Sequence, residues 1–289
     1  MIDHSFTAMA SPCRLLLQGE PEACQAAAQA AEAEVKRIEA KYSRYRDDSE
    51  LSRINRLAGQ ITDIDSETQQ LLHYAQVCWQ QSDGLFDISA GILRQAWDFK
   101  TQRLPSQQQL QPLLQRIGWQ RAELNEHSLL MPTGMEIDLG GLGKEYAADQ
   151  AALMCRQHGI DTGIIDLGGD LHILGPRGQH PWQLGVRHPR EDKAFAQLPV
   201  YQGGMASSGD YERYFERDGQ RFCHLLNPHT GMPVSYWASI TVLAPTCLLA
   251  GTLSTIAMLK QHQALPWLKQ QQLHFLAIRP DLSYELRSC

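Results

Sequence analysis

The pentapeptide Ile-Asp-Leu-Gly-Gly occurs twice, at residues 137–141 and again at 165–169. An aliphatic run suits a strand. A glycine pair at its end removes two side chains where the backbone turns, so a ligand or another segment can come close. The intervening "KEYAADQAALMCRQH" has helical spacing, with Ala147, Ala151 and Met154 on the inward face and Gly159 as the stop. The pattern predicts strand, helix, strand. The first copy leads into a helix start and the second into a turn. If the two strands run parallel, both glycine ends face one pocket.

The flanking sequence reads as further helices and strands. A long Ala-rich helix opens at Pro21 and runs to about Tyr42, with Val35, Ile38 and Tyr42 on one face. Asp48 or Ser49 caps a short helix after "SRYR". Ser66 with Gln69, and Ser106 with Gln109, form capping boxes for two more helices, which stop near Asp83-Gly84 and Gly118. Later segments "PWQLGVRHP", "AFAQLPVYQ", "SITVLA", "LHFLAI" and "SYELR" read as strands. No low-complexity linker divides the chain. The expected fold is α+β, with helices packed on sheet faces and residues 1–289 forming one domain.

Composition excludes several function classes. The 289 residues are 43% hydrophobic and 20% charged, with a net charge of -6 and no basic block, which argues against a nucleic-acid surface. Seven cysteines at 13, 24, 78, 155, 223, 247 and 289 form no C-x-x-C pair, so neither a disulfide framework nor a zinc site is expected, and a reducing, cytoplasmic setting fits. The first twenty residues do not read as a secretion signal, and the leucines follow Cys13 where a lipid anchor needs them before it. Thr230 to Leu259 carries no formal charge and approaches the length of a membrane span. Pro233 and Pro245 interrupt it, so it reads as a strand followed by a buried helix.

The standard phosphate loops are absent. Tyr146 breaks a dinucleotide fingerprint built on Gly141 and Gly143. Asp138 and Glu145 stand where a P-loop needs Gly and Ser or Thr. A helix start after Gly143 with Lys144 in its first turn remains a candidate anion site, although tight helix–sheet packing with a solvated Lys reads equally well. A third cluster, residues 203–234, crowds Ser207, Ser208, Gly209, Asp210, Tyr211 and Arg213 into one expected turn. A hairpin at "RDGQ" and His224, a candidate acid/base, follow. No G-x-S-x-G elbow supports a serine hydrolase.

Taken together and in this order, "MASPC", "SRYRDDSELSRIN", "SDGLFDISAG", "WDF", "IDLGGLGKEYAAD", "DLGGD", "SSGDYERYF", "HLLNPHTGMPV" and "SITVLAP" resemble the ApbE-type family, the FAD:protein FMN transferases. The resemblance implies a compact T-fold-like unit of two related lobes with FAD between them. It implies cleavage of FAD at its pyrophosphate, transfer of FMN as a phosphoester to a Thr or Ser of a partner flavoprotein, and release of AMP with help from magnesium. Such phosphoryl transfer asks a protein mainly for positioning and charge neutralisation.

The resemblance also implies roles for single residues. Met9, Tyr45, Leu85, Phe86, Asp87, Asp138, Lys144 and Leu226 match FAD contacts. The Gly141 carbonyl, position 251 and Thr255 match metal ligands. His224 matches the group that activates the acceptor hydroxyl, with Asp210 orienting it or binding cation. Three positions depart from the family pattern. Glu145 replaces a common Gly, Asn227 replaces an acid, and Gly251 replaces a metal-binding Asp. The lost carboxylate leaves FAD phosphates, Asp138, Asp166 or Asp210 to supply negative charge, and Gly251→Asp is expected to cost little. A FAD-binding carrier or regulatory module without transfer, and a FAD pyrophosphatase, are the competing functions.

Overall fold

A hairpin opens the chain in the computed structural model, which describes residues 1–287. Strands β1 (Ile2–Ala8) and β2 (Ser11–Gln18) pair across Met9 and Ala10. Both turn residues have positive φ, 52° and 56°, as a two-residue primed turn requires. Helix α1 (Pro21–Tyr42) follows, then α2 (Glu50–Arg56), β3 (Ile61–Asp63), α3 (Ser66–Gln81), a 3-10 segment (Ile88–Gln95) and α4 (Gln107–Leu114). Strands β4 (Glu123–Leu124) and β5 (Ser128–Leu130) complete a small sheet with β3.

The second half holds α5 (Gly143–Gln157), β6 (Thr162–Leu167), β7 (Asp170–Gly175), β8 (Trp182–Arg187), β9 (Ala194–Val200), β10 (Gly203–Gly209), β11 (Tyr214–Arg217) and β12 (Gln220–Cys223). It ends with β13 (Ser239–Ala244), α6 (Cys247–Lys260), α7 (Ala264–Gln270), β14 (His274–Ile278) and β15 (Tyr284–Arg287). The main sheet has the order β1-β2-β6-β7-β10-β13-β14-β15, and every pairing in it is antiparallel.

Both faces of this sheet are covered, and the period-2 alternation shows how. Leu15 and Leu17 of β2, with Ile165 and Leu167 of β6, join the core built on α1 and α5. Leu16 and Ile164, on the opposite face, join Leu171, Ile173 and Met205 against the β8–β9 hairpin residues Trp182, Leu184 and Val200. Small residues line the α1–α5 contact: Ala27, Ala28 and Ala31 on one helix and Ala147, Ala148 and Ala151 on the other, all buried. Short side chains let the two axes approach closely. Val35, Ile38 and Tyr42 form the expected buried face, and Ser106 and Gln109 form the expected capping box.

The charge-free stretch is a strand and a buried helix, β13 and α6. Among the described residues no helix is long and apolar enough to cross a membrane. Six cysteines are free and buried, and Cys289 lies outside the described residues.

Four expectations are corrected. The first Ile-Asp-Leu-Gly-Gly is not a strand. The Asn55 side chain donates to the Ile137 carbonyl and accepts from its N–H, at 2.9 and 2.8 Å, so an amide takes the place of a neighbouring strand. The second copy ends β6 and turns at Gly168 and Gly169 into antiparallel β7, so no parallel pair exists there. Asp65, not Ser66, caps α3, its carboxylate accepting from Thr68 N–H at 2.8 Å. Ser207 to Gly209 lie on β10, and the turn begins only at Asp210.

Candidate functional site at the start of helix α5

The N-terminus of α5 stands beside the second glycine turn. Lys144, in its first turn, forms an ion pair with the buried Asp170 that follows Gly169. Burial alone would lower the lysine pKa, but the charges of Asp170 and Glu145 outweigh it and hold the ammonium on. Lys144 therefore brings the two glycine ends together through a side chain, although the expected parallel strands are absent. Its assigned contact with FAD competes with a partner inside the protein.

Glu145 points the other way, toward α6. It is only 8% exposed, and its Oε2 has no hydrogen-bond partner. A Cβ at Gly251 would lie 2.5 Å from Glu145 Cγ and 2.9 Å from Oε1. The glutamate therefore fills the volume that a side chain at 251 would need. Burial, with the nearby Asp170 charge, raises the Glu145 pKa, and Lys144 opposes the rise. Gly251→Asp is consequently not the cheap change expected from helix propensity, because it collides with Glu145.

One carboxylate fixes the two helices in this relation. Asp149 of α5 accepts the N–H groups of Cys247 and Leu248 at the start of α6, at 2.8 and 2.9 Å. It also bonds His172 Nδ1 at 2.6 Å. The role is helix capping across elements. One turn after Gly251 on α6, three hydroxyls meet: Ser208 Oγ lies 2.8 Å from Ser254 Oγ and 2.9 Å from Thr255 Oγ1. Ser208 was not among the expected site residues. Among the described residues, no group of three His, Cys, Asp or Glu could hold a metal ion by itself.

The FAD-assigned residues from the first half flank the glycine turn. Asp138 Oδ1 accepts from Gly140 N–H at 2.9 Å, and Oδ2 pairs with Arg44, another residue not foreseen. Gly91 lets Asp138 lie close, since a Cβ there would fall 2.4 Å from Asp138 Cβ. Arg44 also donates to the Tyr45 hydroxyl at 2.8 Å and lies over its ring. Tyr45 is 78% exposed, and the Arg44 hydrogen bond lowers its pKa. Phe86 is buried, with its ring at van der Waals distance from where a Gly141 Cβ would be. Met9 sits in the hairpin turn, its N–H donating to Glu39 Oε1 at 2.5 Å. Leu85 and Leu226 are half-buried and pack on two small apolar clusters.

Two expected side-chain roles meet a different geometry. Asp87 is used internally: Oδ1 accepts from Ser89 N–H at 2.8 Å, and Oδ2 from Trp119 N–H at 3.0 Å. Asp210 neither orients His224 nor stands free for a cation. Arg190 donates to both of its oxygens, at 2.6 and 2.8 Å, and Arg221 adds a contact at 3.4 Å. Asp166 is likewise engaged, accepting from Gly169 N–H at 2.8 Å.

His224 follows β12, with its N–H on the Arg213 carbonyl at 2.9 Å. Its Nδ1 is buried without a partner. Burial, and then the Arg213 charge, push its pKa down to about 4, so the ring is neutral at pH 7. A shallow groove of about 690 Å³ lies elsewhere, beside α2, and its Lys41, Arg46 and Arg53 are already paired with Asp65, Asp48 and Glu50.

A family model described as the ApbE family matches residues 9–278. A protein of Haemophilus influenzae named FAD:protein FMN transferase is 31% identical over 282 residues, covering 89% of this chain and 80% of its own. An ApbE protein of Thermotoga maritima superposes with a TM-score of 0.92 at 29% identity, over 99% of this chain and 97% of its own. The flavin transferase ApbE of Vibrio cholerae gives a TM-score of 0.87 at 22% identity, over 99% and 96%, a likeness of fold.

Proposed function

The chain belongs to the ApbE family, and from that premise we propose that it is an FAD:protein FMN transferase. It cleaves FAD at the pyrophosphate and joins FMN to a Thr or Ser hydroxyl of a partner flavoprotein. The hydroxyl oxygen bonds to the FMN phosphorus, the bond from that phosphorus to the bridging oxygen breaks, and AMP leaves with the electron pair. The hydroxyl proton goes to a base.

The observation that carries this reading is the first turn of α5. There a glycine turn, a paired Lys144 and an unpartnered buried carboxylate pack on α6 at Gly251, one turn before the hydroxyls that α6 shares with β10. Backbone N–H groups at a helix start suit a pyrophosphate. We assign FAD contact to Met9, Tyr45, Leu85, Phe86, Asp138, Lys144 and Leu226, and to the backbone of Asp87. The engagement of both Asp87 oxygens supports the last restriction. His224 is assigned as the base, which its neutral ring supports. Magnesium, when bound, would neutralise charge on the pyrophosphate, with the Gly141 carbonyl and Thr255 among its ligands. We take residues 1–289 as one domain. The first and last strands lying in one sheet support this. A cytoplasmic setting is supported by the six free, buried thiols.

The test is incubation with FAD, magnesium and a Thr-containing acceptor protein, following AMP, free FMN and protein-bound flavin. AMP in step with acceptor-bound flavin is expected. AMP with free FMN would instead identify a pyrophosphatase, and FAD binding without AMP a carrier or regulatory module.

A further inference from the structure

We propose that Glu145 is the protein carboxylate that binds the divalent cation, presented from α5 through the space that Gly251 leaves on α6. The proposal rests on the transferase reading only for the second source of negative charge, the FAD pyrophosphate.

Three observations carry it. First, positions 145 and 251 exclude each other. A Cβ at 251 would lie 2.5 Å from Glu145 Cγ, 2.9 Å from Oε1 and 3.0 Å from Cδ. The glycine is what allows a glutamate here at all. Second, Glu145 Oε2 is buried and accepts no hydrogen bond among the described residues. Proteins seldom bury an acidic oxygen without a partner. Third, the neighbouring charges are already committed. Lys144 is paired with Asp170, and Asp149 with the α6 N-terminus and His172, while the buried Cys247 thiol brings no charge to share. No cationic side chain is paired with Glu145 among the described residues.

One turn on from Gly251, α6 carries the Ser254 and Thr255 hydroxyls linked to Ser208. A buried carboxylate with hydroxyl oxygens one helical turn along α6 suits Mg²⁺ or Mn²⁺, which commonly take one or two carboxylates plus substrate phosphates. Two changes that look separate in the sequence thus become one. The carboxylate moves from the α6 side of the site to the α5 side, and the glycine moves the opposite way. Asp138, Asp166 and Asp210 are not needed for this role and have their own partners.

The experiment is Mn²⁺ titration, read by electron paramagnetic resonance and calorimetry, of apo and FAD-loaded protein. The variants are Glu145→Gln and the double change Glu145→Gly with Gly251→Asp. FAD affinity without metal is measured separately by flavin fluorescence. Glu145→Gln keeps the shape and should weaken Mn²⁺ binding by about tenfold or more in either state, with metal-free FAD affinity within about twofold. The double variant, which returns an acid to α6 and clears its space, should recover Mn²⁺ binding to within about threefold of wild type. Wild-type Mn²⁺ affinity in Glu145→Gln, or no Mn²⁺ binding by wild type in either state, overturns the proposal. Failure of FAD to bind would count against the transferase reading alone, and the apo titration would still decide the role of Glu145.

Discussion

Arg190 donates two parallel hydrogen bonds to Asp210, at 2.6 and 2.8 Å, and so fastens the loop after β8 to the end of β10. The fork geometry makes this a strong pair, and Asp210 is buried. Asp210→Asn should therefore lower stability by about 1–3 kcal/mol, because one guanidinium bond becomes a donor facing a donor. Flavin transfer under folding conditions should change less than about tenfold, short of what a catalytic base contributes. Urea unfolding beside a transfer assay checks both. A large loss of transfer at unchanged stability would return Asp210 to the chemistry.

Gly251→Ala tests the steric coupling to Glu145 without any metal. Helix propensity favours Ala over Gly by about 1 kcal/mol. The collision with Glu145 Cγ opposes this, and overpacking costs about 1–3 kcal/mol. The single variant should be destabilised. In a Glu145→Ala background the same change should become neutral or stabilising. A thermal-melt double-mutant cycle should give a coupling of roughly 2 kcal/mol. Additive effects would mean that the two side chains do not share the space.

His224→Ala should reduce transfer by about 10²–10⁴-fold and leave FAD affinity nearly intact. The wild-type profile should be flat in His224 from pH 7 to about 5. It should fall only as the pH nears the depressed value of about 4, where the ring gains its proton. Single-turnover rates with saturating acceptor measure both. A loss under tenfold would make the histidine structural.

Acid sensitivity should centre on Glu67. It accepts from Arg37 at 2.9 and 2.6 Å, from Lys41 at 2.6 Å and from Tyr146 at 2.9 Å, and so ties α1, α3 and α5. Burial alone would raise its pKa, but these bonds prevail and bring it from 4.5 down to about 2. A depressed folded-state pKa means stability that is complete above about 4.5 and is lost as the pH falls toward 2. Glu67→Gln should cost on the order of 1–3 kcal/mol at pH 7 and much less at pH 2.5, allowing for partial exposure. Unfolding free energies of both proteins at the two pH values give the comparison.

Local patterns were legible in the sequence, and distant partners were not. Val35, Ile38 and Tyr42 declare their face through helical spacing alone, and Ser106 with Gln109 declares a helix start within four residues. The strands at Ser239–Ala244 and His274–Ile278 show in their apolar runs. The first Ile-Asp-Leu-Gly-Gly misleads because its backbone partner is the side chain of Asn55, far back in the chain. The hairpin at Met9-Ala10 lacks the glycine or asparagine that usually marks such a turn. In the site, Glu145 and Gly251 each look like an isolated departure. Their relation exists only once Asp149 has set α5 against α6. Arg44 and Arg190 were missed for the same reason, since a salt-bridging arginine resembles a solvated one until its carboxylate is found.

The strand order also sets a timetable for synthesis. β2 finds its second neighbour only in β6, whose first residue is Thr162. At ribosomal speeds of roughly 5–20 residues per second, about 145 residues separate the two strands and the wait is on the order of 10–30 s. Throughout that interval the β1–β2 hairpin, with Leu15 and Leu17 bound for the core, has an open edge as it leaves the ribosome. The Ala-rich α1 is available to cover it, because it is adjacent in the chain and needs no distant partner. The nascent protein is therefore most vulnerable to capture by chaperones, or by other unfolded chains, until β6, just past the midpoint of the chain, has been made.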